Sequence, residues 1–227
     1  MTVFEIRNVR LDIPSEHLTR PIKEALTGGY YEKAEHRALG IHLRSNDRMV
    51  DLGAGAGYLC CVASAIIGAN NVLGVEAHPD MAPVARANLR LNGHGKARVL
   101  KGAVVPDSVD DDQVAFMISQ GFWASGLKND GKSWGVREVR TPALKISDIM
   151  AGHAPTLVVM DIEGAEASFT DYKWPASVRM VILEVHPKLY SGVQLNQIFT
   201  GFFDQGFAWT GRGSQNDTVV FERIKEG

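Results

Sequence analysis

The 227-residue sequence predicts an α/β fold with a mostly parallel sheet, and three observations carry that reading. A short apolar run, "MVDL" at 49–52, leads straight into a glycine-rich turn and then an amphipathic stretch. The same succession of strand-like and helix-like segments repeats through residue 105. Two later runs, "TLVVM" and "VRMVILEV", are continuous apolar blocks too short for helices. Such blocks fit parallel strands covered on both faces.

The elements follow in order. After Gly57, apolar residues Leu59, Val62, Ala63, Ile66 and Ile67 form one helical stripe, which Gly68 ends. Residues 72–76 are β-rich, and Pro79 suits the first turn of the next helix. That helix, "MAPVARANLRLNG", stops at Asn92-Gly93. "ARVLKGAVV" reads as one further strand, and a helix is expected near Val193 to Phe203. The closing segment, "FAWTGRGSQNDTVVFERI", has two β-like runs about a polar turn, an antiparallel hairpin.

Two segments stand outside this alternation. Residues 1–46 look mostly helical after Pro14 and are expected to form an N-terminal cap segment ahead of a main domain at 47–227. Within that domain an insertion at about 104–155 is too long for a plain connection. It holds two strand-like runs, "VAFMIS" and "WGVREVR", and a loop, "GFWASGLKNDGKSWG". Trp123 and Trp134 in the insertion can cap a pocket or simply anchor it to the core.

Composition excludes several classes. Hydrophobic residues are 45% and charged residues 22%, an ordinary globular balance. The net charge is −2 and the basic residues are scattered, so neither nucleic acid nor an anionic membrane is an expected partner. No apolar stretch approaches the roughly 20 residues of a membrane span. The opening "MTVFEIRNVR" is mixed and charged, unlike a signal peptide. The only cysteines, Cys60 and Cys61, are adjacent and cannot staple distant segments, so a reducing, cytoplasmic setting is expected.

The glycine turn carries the first chemistry. A strand-to-helix turn aims backbone N–H groups at whatever sits above it, and glycine lets a ligand approach closely. A nicotinamide or flavin fingerprint would be G-x-G-x-x-G. Here Gly53, Gly55 and Gly57 bring the third glycine one residue early, and Asp51 precedes them. D-x-G-x-G-x-G resembles the pattern of class I methyltransferases, which bind S-adenosyl-L-methionine. The resemblance implies that Asp51 meets the ligand's ammonium, directly or through water, while Gly53, Ala54, Gly55 and Gly57 admit the rest. Glu76 ends the next strand, 19 residues after Gly57, where an acid can accept hydrogen bonds from both ribose hydroxyls. Ala77 beside it, Gly102 and Ala103 one strand on, and Tyr31 upstream are further expected cofactor contacts. Many methyltransferases fold the segment holding Tyr30, Tyr31 and Glu32 over the cofactor.

A wider set of motifs is more specific. "YYEKAEHRAL", "VDLGAGAGYL", "GVEAHPDMAPVARANLRLNG", "VVMDIEGAEASF" and "VILEVHP" together resemble the FkbM family of methyltransferases, over roughly residues 29–187. Its strongest markers are D-x-E-G-A-E at Asp161 to Glu166 and E-x-H at Glu184 to His186. Gly55 stands where that family commonly has asparagine. The resemblance implies a Rossmann-like class I methyltransferase fold, with a mostly parallel seven-stranded sheet, helices on both faces and a C-terminal antiparallel hairpin. It also implies methyl transfer to a hydroxyl oxygen of a small-molecule or sugar-like acceptor.

That reaction needs a nucleophile held in line and a group to take its proton. Asp161 with Glu163, and Glu184 with His186, stand at i and i+2 beyond two core strands. If strand geometry persists, each pair projects to one side of the crevice at the strands' carboxyl ends. Glu163 and Glu166 can equally serve a helix start, and His186 a loop. These acids and the histidine can also bind a divalent metal, but no tight spacing demands one and none is expected. An enzyme methylating base nitrogens would show an N/D-P-P-Y/F motif where this chain has Asp161-Ile162-Glu163-Gly164. The other readings are a relative that binds the cofactor without turnover and a methyltransferase acting on a nitrogen or macromolecular acceptor.

Overall fold

The computed structural model describes residues 2–119, 125–127 and 137–224. Its centre is a seven-stranded sheet built from five parallel strands: β3 (Met49–Leu52), β4 (Val72–Glu76), β5 (Arg98–Lys101), β10 (Leu157–Met160) and β11 (Met180–Glu184). The closing hairpin supplies the rest. β13 (Thr218–Arg223) pairs antiparallel with β11 and with β12 (Phe207–Gln215), giving the order β12-β13-β11-β10-β3-β4-β5.

Helices cover both faces. α3 (Tyr58–Ile67) and α4 (Met81–Leu91) lie on one, with α5 (Ile146–His153) and α6 (Gly192–Phe203) on the other. The strand side chains alternate accordingly. Leu157, Val159, Met180 and Ile182 enter the first layer, and Val158, Met160, Val181 and Leu183 the second. All eight are buried, which is why these strands read as unbroken apolar runs.

The helices after Pro14 are α1 (Arg20–Thr27) and α2 (Lys33–His42). Ahead of them stands a feature the sequence reading missed, a hairpin of β1 (Thr2–Ile6) and β2 (Val9–Ile13) turning on Arg7 and Asn8 at positive φ. Its exposed ladder edge is satisfied by side chains of α4. Asn88 Oδ1 accepts from Asp12 N–H at 2.8 Å and Asn92 Oδ1 from Arg10 N–H at 2.9 Å. The buried Asn88 also donates to the Ala56 carbonyl at 2.9 Å, tying the hairpin to the glycine turn.

The expected single strand "ARVLKGAVV" is two. At Gly102, φ +155, the chain turns from β5 into β6 (Ala103–Val105), where a Cβ would come within 2.7 Å of the Pro142 carbonyl. β6 pairs with β9 (Arg137–Lys145), which pairs antiparallel with β7 (Gln113–Ile118). With β8 (Gly126–Leu127) these form a separate four-stranded sheet in the insertion. The described part of the expected strand "WGVREVR", from Arg137, belongs to a strand that runs on to Lys145. Trp123, Trp134 and most of the expected loop lie outside the described residues.

Candidate active site

Beyond the carboxyl ends of the parallel strands lies a cavity of about 700 Å³. Its floor is the turn after β3, where Gly53 and Ala54 N–H both donate to the Val75 carbonyl, at 2.9 and 3.0 Å. Gly53 is held at φ +92, and a Cβ there would fall 1.7 Å from the Asp161 carbonyl oxygen. Only glycine lets the two turns touch. Gly53→Ala is therefore expected to push the turns apart, weakening adenosyl-ligand binding and lowering Tm, by calorimetry and thermal melting.

Glu76 ends β4 on the cavity wall. Its Oε2 accepts from Gly55 N–H at 2.7 Å and its Oε1 from His78 N–H at 2.6 Å. A carboxylate has about four lone-pair directions, so with backbone donors at Gly55, His78 and Ala77 some capacity remains for a ligand. Burial pushes its pKa up to about 7, against those backbone donors. Ala77, Gly102 and Ala103 continue the wall, with Phe116 from the inserted sheet.

The segment before α2 closes another side. Tyr31 is buried, its ring edge-on to Tyr58 at 5.9 Å. Glu32, beside it, sits at φ +46. Glu35 in α2 is buried too and accepts a hydrogen bond from Thr218 Oγ1 of the closing hairpin.

Beside the Gly53 turn, Asp161, Glu163, Glu184 and His186 converge on the cavity. His186 Nε2 lies 3.5 Å from Asp161 Oδ1 and 3.4 Å from Glu163 Oε2, and its Nδ1 3.5 Å from Glu166 Oε1. Glu166 is itself fixed by Ile162 N–H at 2.9 Å and Tyr190 O–H at 3.0 Å. A second cavity, about 1000 Å³, opens on the far side of this cluster. Leu127, Glu163, Glu184, His186 and Asp217 line both.

Against this geometry the comparisons are decisive on family. The Methyltransferase FkbM domain matches residues 51–208. The chain belongs to the FkbM methyltransferase family. A ribosomal protein L11 methyltransferase from Thermus thermophilus is 40% identical over 68 residues, 30% of this chain and 26% of that enzyme's length. Among solved structures, M. jannaschii TYW2 in complex with AdoMet is similar at 14% identity and TM-score 0.49, covering 98% of this chain and 86% of that one. A precorrin-6y C5,15-methyltransferase from Geobacter metallireducens is similar at 13% identity and TM-score 0.47, covering 93% and 90%. Among the described residues no helix is long and apolar enough to cross a membrane.

Within this FkbM-family chain, Gly53, Gly55, Glu76, Ala77, Gly102, Ala103, Tyr31, Asp161, Glu163, Glu184 and His186 all face the first cavity. Asp51 and Ala54, 3% and 2% exposed, lie behind the wall, and Gly57 packs against Ala85 of α4. Asp51 Oδ2 accepts from Cys60 Sγ at 3.1 Å, and burial raises its pKa to about 6.

The strand-face reason for pairing Asp161 with Glu163 does not hold. β10 ends at Met160, and the chain then turns through Glu163 at φ +54 and Gly164 at φ +95 into a 3₁₀ turn, Ala165–Phe169. The two acids meet at His186 because of that turn. A glutamate in the left-handed region costs about 1–3 kcal/mol and persists where surroundings impose it, often at functional sites.

The cluster is electrostatically strained. Burial, then the charges of Glu184 and Glu163, raise Asp161 well above the ordinary carboxylate range. Burial pushes Glu163 up to about 7 against the opposing charge of His186. Burial alone would depress His186, but Glu166, by hydrogen bond and charge, and then Glu163 and Glu184 carry it up to about 9. Glu35, Asp217, Thr218 and Tyr190 were not found from the sequence. No local motif marks them, since their partners are remote in the chain.

Proposed function

We propose that the chain transfers the methyl group of S-adenosylmethionine to a hydroxyl of a small, sugar-like molecule. The observation behind this reading is the meeting of two cavities at one polar wall. The first has the features an adenosyl ligand needs: a side-chain-free floor at Gly53 and Gly55, a carboxylate with spare lone pairs at Glu76, and small residues at Ala77, Gly102 and Ala103. Tyr31 would cover it. Asp51, behind the wall, would act on the ammonium only through water or Cys60. When bound, the cofactor supplies a methyl group already activated for displacement.

The second cavity would hold the acceptor. Methyl transfer requires both partners where the cavities join, so Glu163, Glu184 and His186 border the reacting atoms in this reading. An ionised Asp161 or Glu163 would accept a hydrogen bond from an acceptor hydroxyl, and a protonated His186 would donate one to its oxygen. Asp161 and Glu163 would orient that hydroxyl and draw off its proton. The assay that tests this uses labelled S-adenosylmethionine, metabolite extracts and product identification. Label found only on protein or nucleic acid would overturn the small-molecule acceptor.

Cofactor binding has its own expected result. S-adenosylhomocysteine at 100 times its Kd should add about 2.7 kcal/mol of stability, while NAD adds nothing. Glu76→Ala should weaken S-adenosylhomocysteine binding in calorimetry without unfolding the chain. Unchanged affinity would remove Glu76 from the ribose-binding role.

A further inference from the structure

We infer that Asp161, Glu163 and His186 form a binding site for one divalent cation, at the junction of the two cavities. The inference deepens the proposed function, since it gives the acceptor's oxygen a second partner, and rests on that reading only for that role.

Spacing along the chain offered no reason to expect a metal, but folding does. The three donor atoms lie within 4.8 Å of one another. Nε2 of His186 stands 3.5 and 3.4 Å from the two carboxylate oxygens. A proton shared between an imidazole and a carboxylate draws N and O to about 2.7–2.9 Å. Donors around an ion at about 2.1 Å instead sit roughly 3.0 to 4.2 Å apart, according to the angle between them. The two separations from His186 Nε2 fall in the second range. Asp161 Oδ1 is buried without a hydrogen-bond partner, as expected of an atom awaiting something between itself and the imidazole.

The outer contacts agree. A ligating histidine usually turns its other ring nitrogen to a carboxylate, which fixes the ring and leaves a lone pair for the metal. Nδ1 here lies 3.5 Å from Glu166 Oε1, a gap that would close when an ion binds Nε2, and Glu166 is held by Ile162 N–H and Tyr190 O–H. Two carboxylates and one imidazole suit an ion of intermediate hardness such as Mn²⁺, with Mg²⁺ as the harder competitor. Glu163 and His186 border both cavities, so positions on the ion remain open toward each. A hydroxyl bound there would lose its proton more readily.

The probe is Mn²⁺ alone, added to the full chain stripped with EDTA, without cofactor or acceptor. Loss of the free-ion electron paramagnetic resonance signal should saturate at one Mn²⁺ per chain. Pulsed measurements should show nitrogen coupling from one imidazole. Asp161→Asn and Glu163→Gln should each weaken binding roughly tenfold or more, and Glu166→Gln by about 10 to 100-fold. Circular dichroism and S-adenosylhomocysteine binding check that each variant is folded. Absence of saturable binding, saturation without nitrogen coupling, or equal binding by folded Asp161→Asn and Glu163→Gln chains would overturn the inference. Because no methyl transfer is measured, failure here is separate from failure of the proposed activity.

Discussion

Glu163→Gln and Asp161→Asn are each expected to lower kcat on the identified acceptor by about 10² to 10⁴-fold, the usual range for losing a group that handles the proton. S-adenosylhomocysteine affinity should change only a few-fold, because in the proposed reading the cofactor is held by Gly53, Gly55 and Glu76 and not by these two side chains. Each substitution keeps the shape and removes the charge, so packing is scarcely disturbed. An interaction made mainly in the transition state lowers kcat and kcat/KM together and spares ground-state binding. Steady-state kinetics beside calorimetric titration separate the two. If both variants retain full turnover, the wall of acids is not where the hydroxyl reacts. If cofactor affinity collapses as well, the acids belong to the cradle.

The second large effect is expected at the other end of the sheet. Asp47, 2% exposed, accepts from Arg44 N–H at 2.7 Å, Thr156 Oγ1 at 2.6 Å and Arg179 Nε at 2.9 Å, with a second, very short contact to Arg179 Nη2. These bonds join the starts of β3, β10 and β11. Arg179→Met should cost about 3–5 kcal/mol by leaving the Asp47 carboxylate buried and unpaired. Burial pushes the Asp47 pKa up, but hydrogen bonds from Arg179, Thr156 and the Arg44 backbone outweigh it and hold it below its ordinary 3.8. The folded state therefore binds the proton less readily than the unfolded chain. Its stabilisation is complete above pH about 4 and is lost as pH falls through the folded value. Urea unfolding of Asp47→Asn should accordingly show a deficit at pH 7 that shrinks toward pH 3. A deficit independent of pH would assign the effect to packing.

What the sequence made legible was whatever is local. The glycine turn, Glu76 at a strand end, the caps at Gly68 and Asn92-Gly93, and the buried runs at 157–160 and 180–184 each follow from neighbouring residues. The motif Asp161 to Glu166 pointed to residues that the fold does bring together, but for a different reason. Strand alternation would have aligned the acids, whereas a left-handed turn at Glu163 aligns them. Failures came where partners are distant. The hairpin at 2–13 is stable because Asn88 and Asn92 satisfy its edge, 76 to 82 residues away. The break at Gly102 depends on Pro142 and Leu144 crossing behind it. Glu35 has no local mark in the sequence, and its partner in the buried contact is Thr218 of the closing hairpin.

That last contact bears on how the protein is made. Glu35 and Thr218 are 183 residues apart, and Asn216, Asp217 and Thr218 together form part of the cavity wall. A nascent chain leaving the ribosome can build the hairpin at 2–13 and the helices behind it early. It cannot complete this wall until 183 further residues have followed Glu35. Closing so long a loop is slow compared with local folding. Until then the carboxylates of α2 and of the Asp161 turn stand open to water and to one another's repulsion. The cavity thus closes only after the hairpin at 207–223 has emerged, and a ribosome-bound fragment ending before that hairpin would hold the glycine turn but not the enclosed cavity.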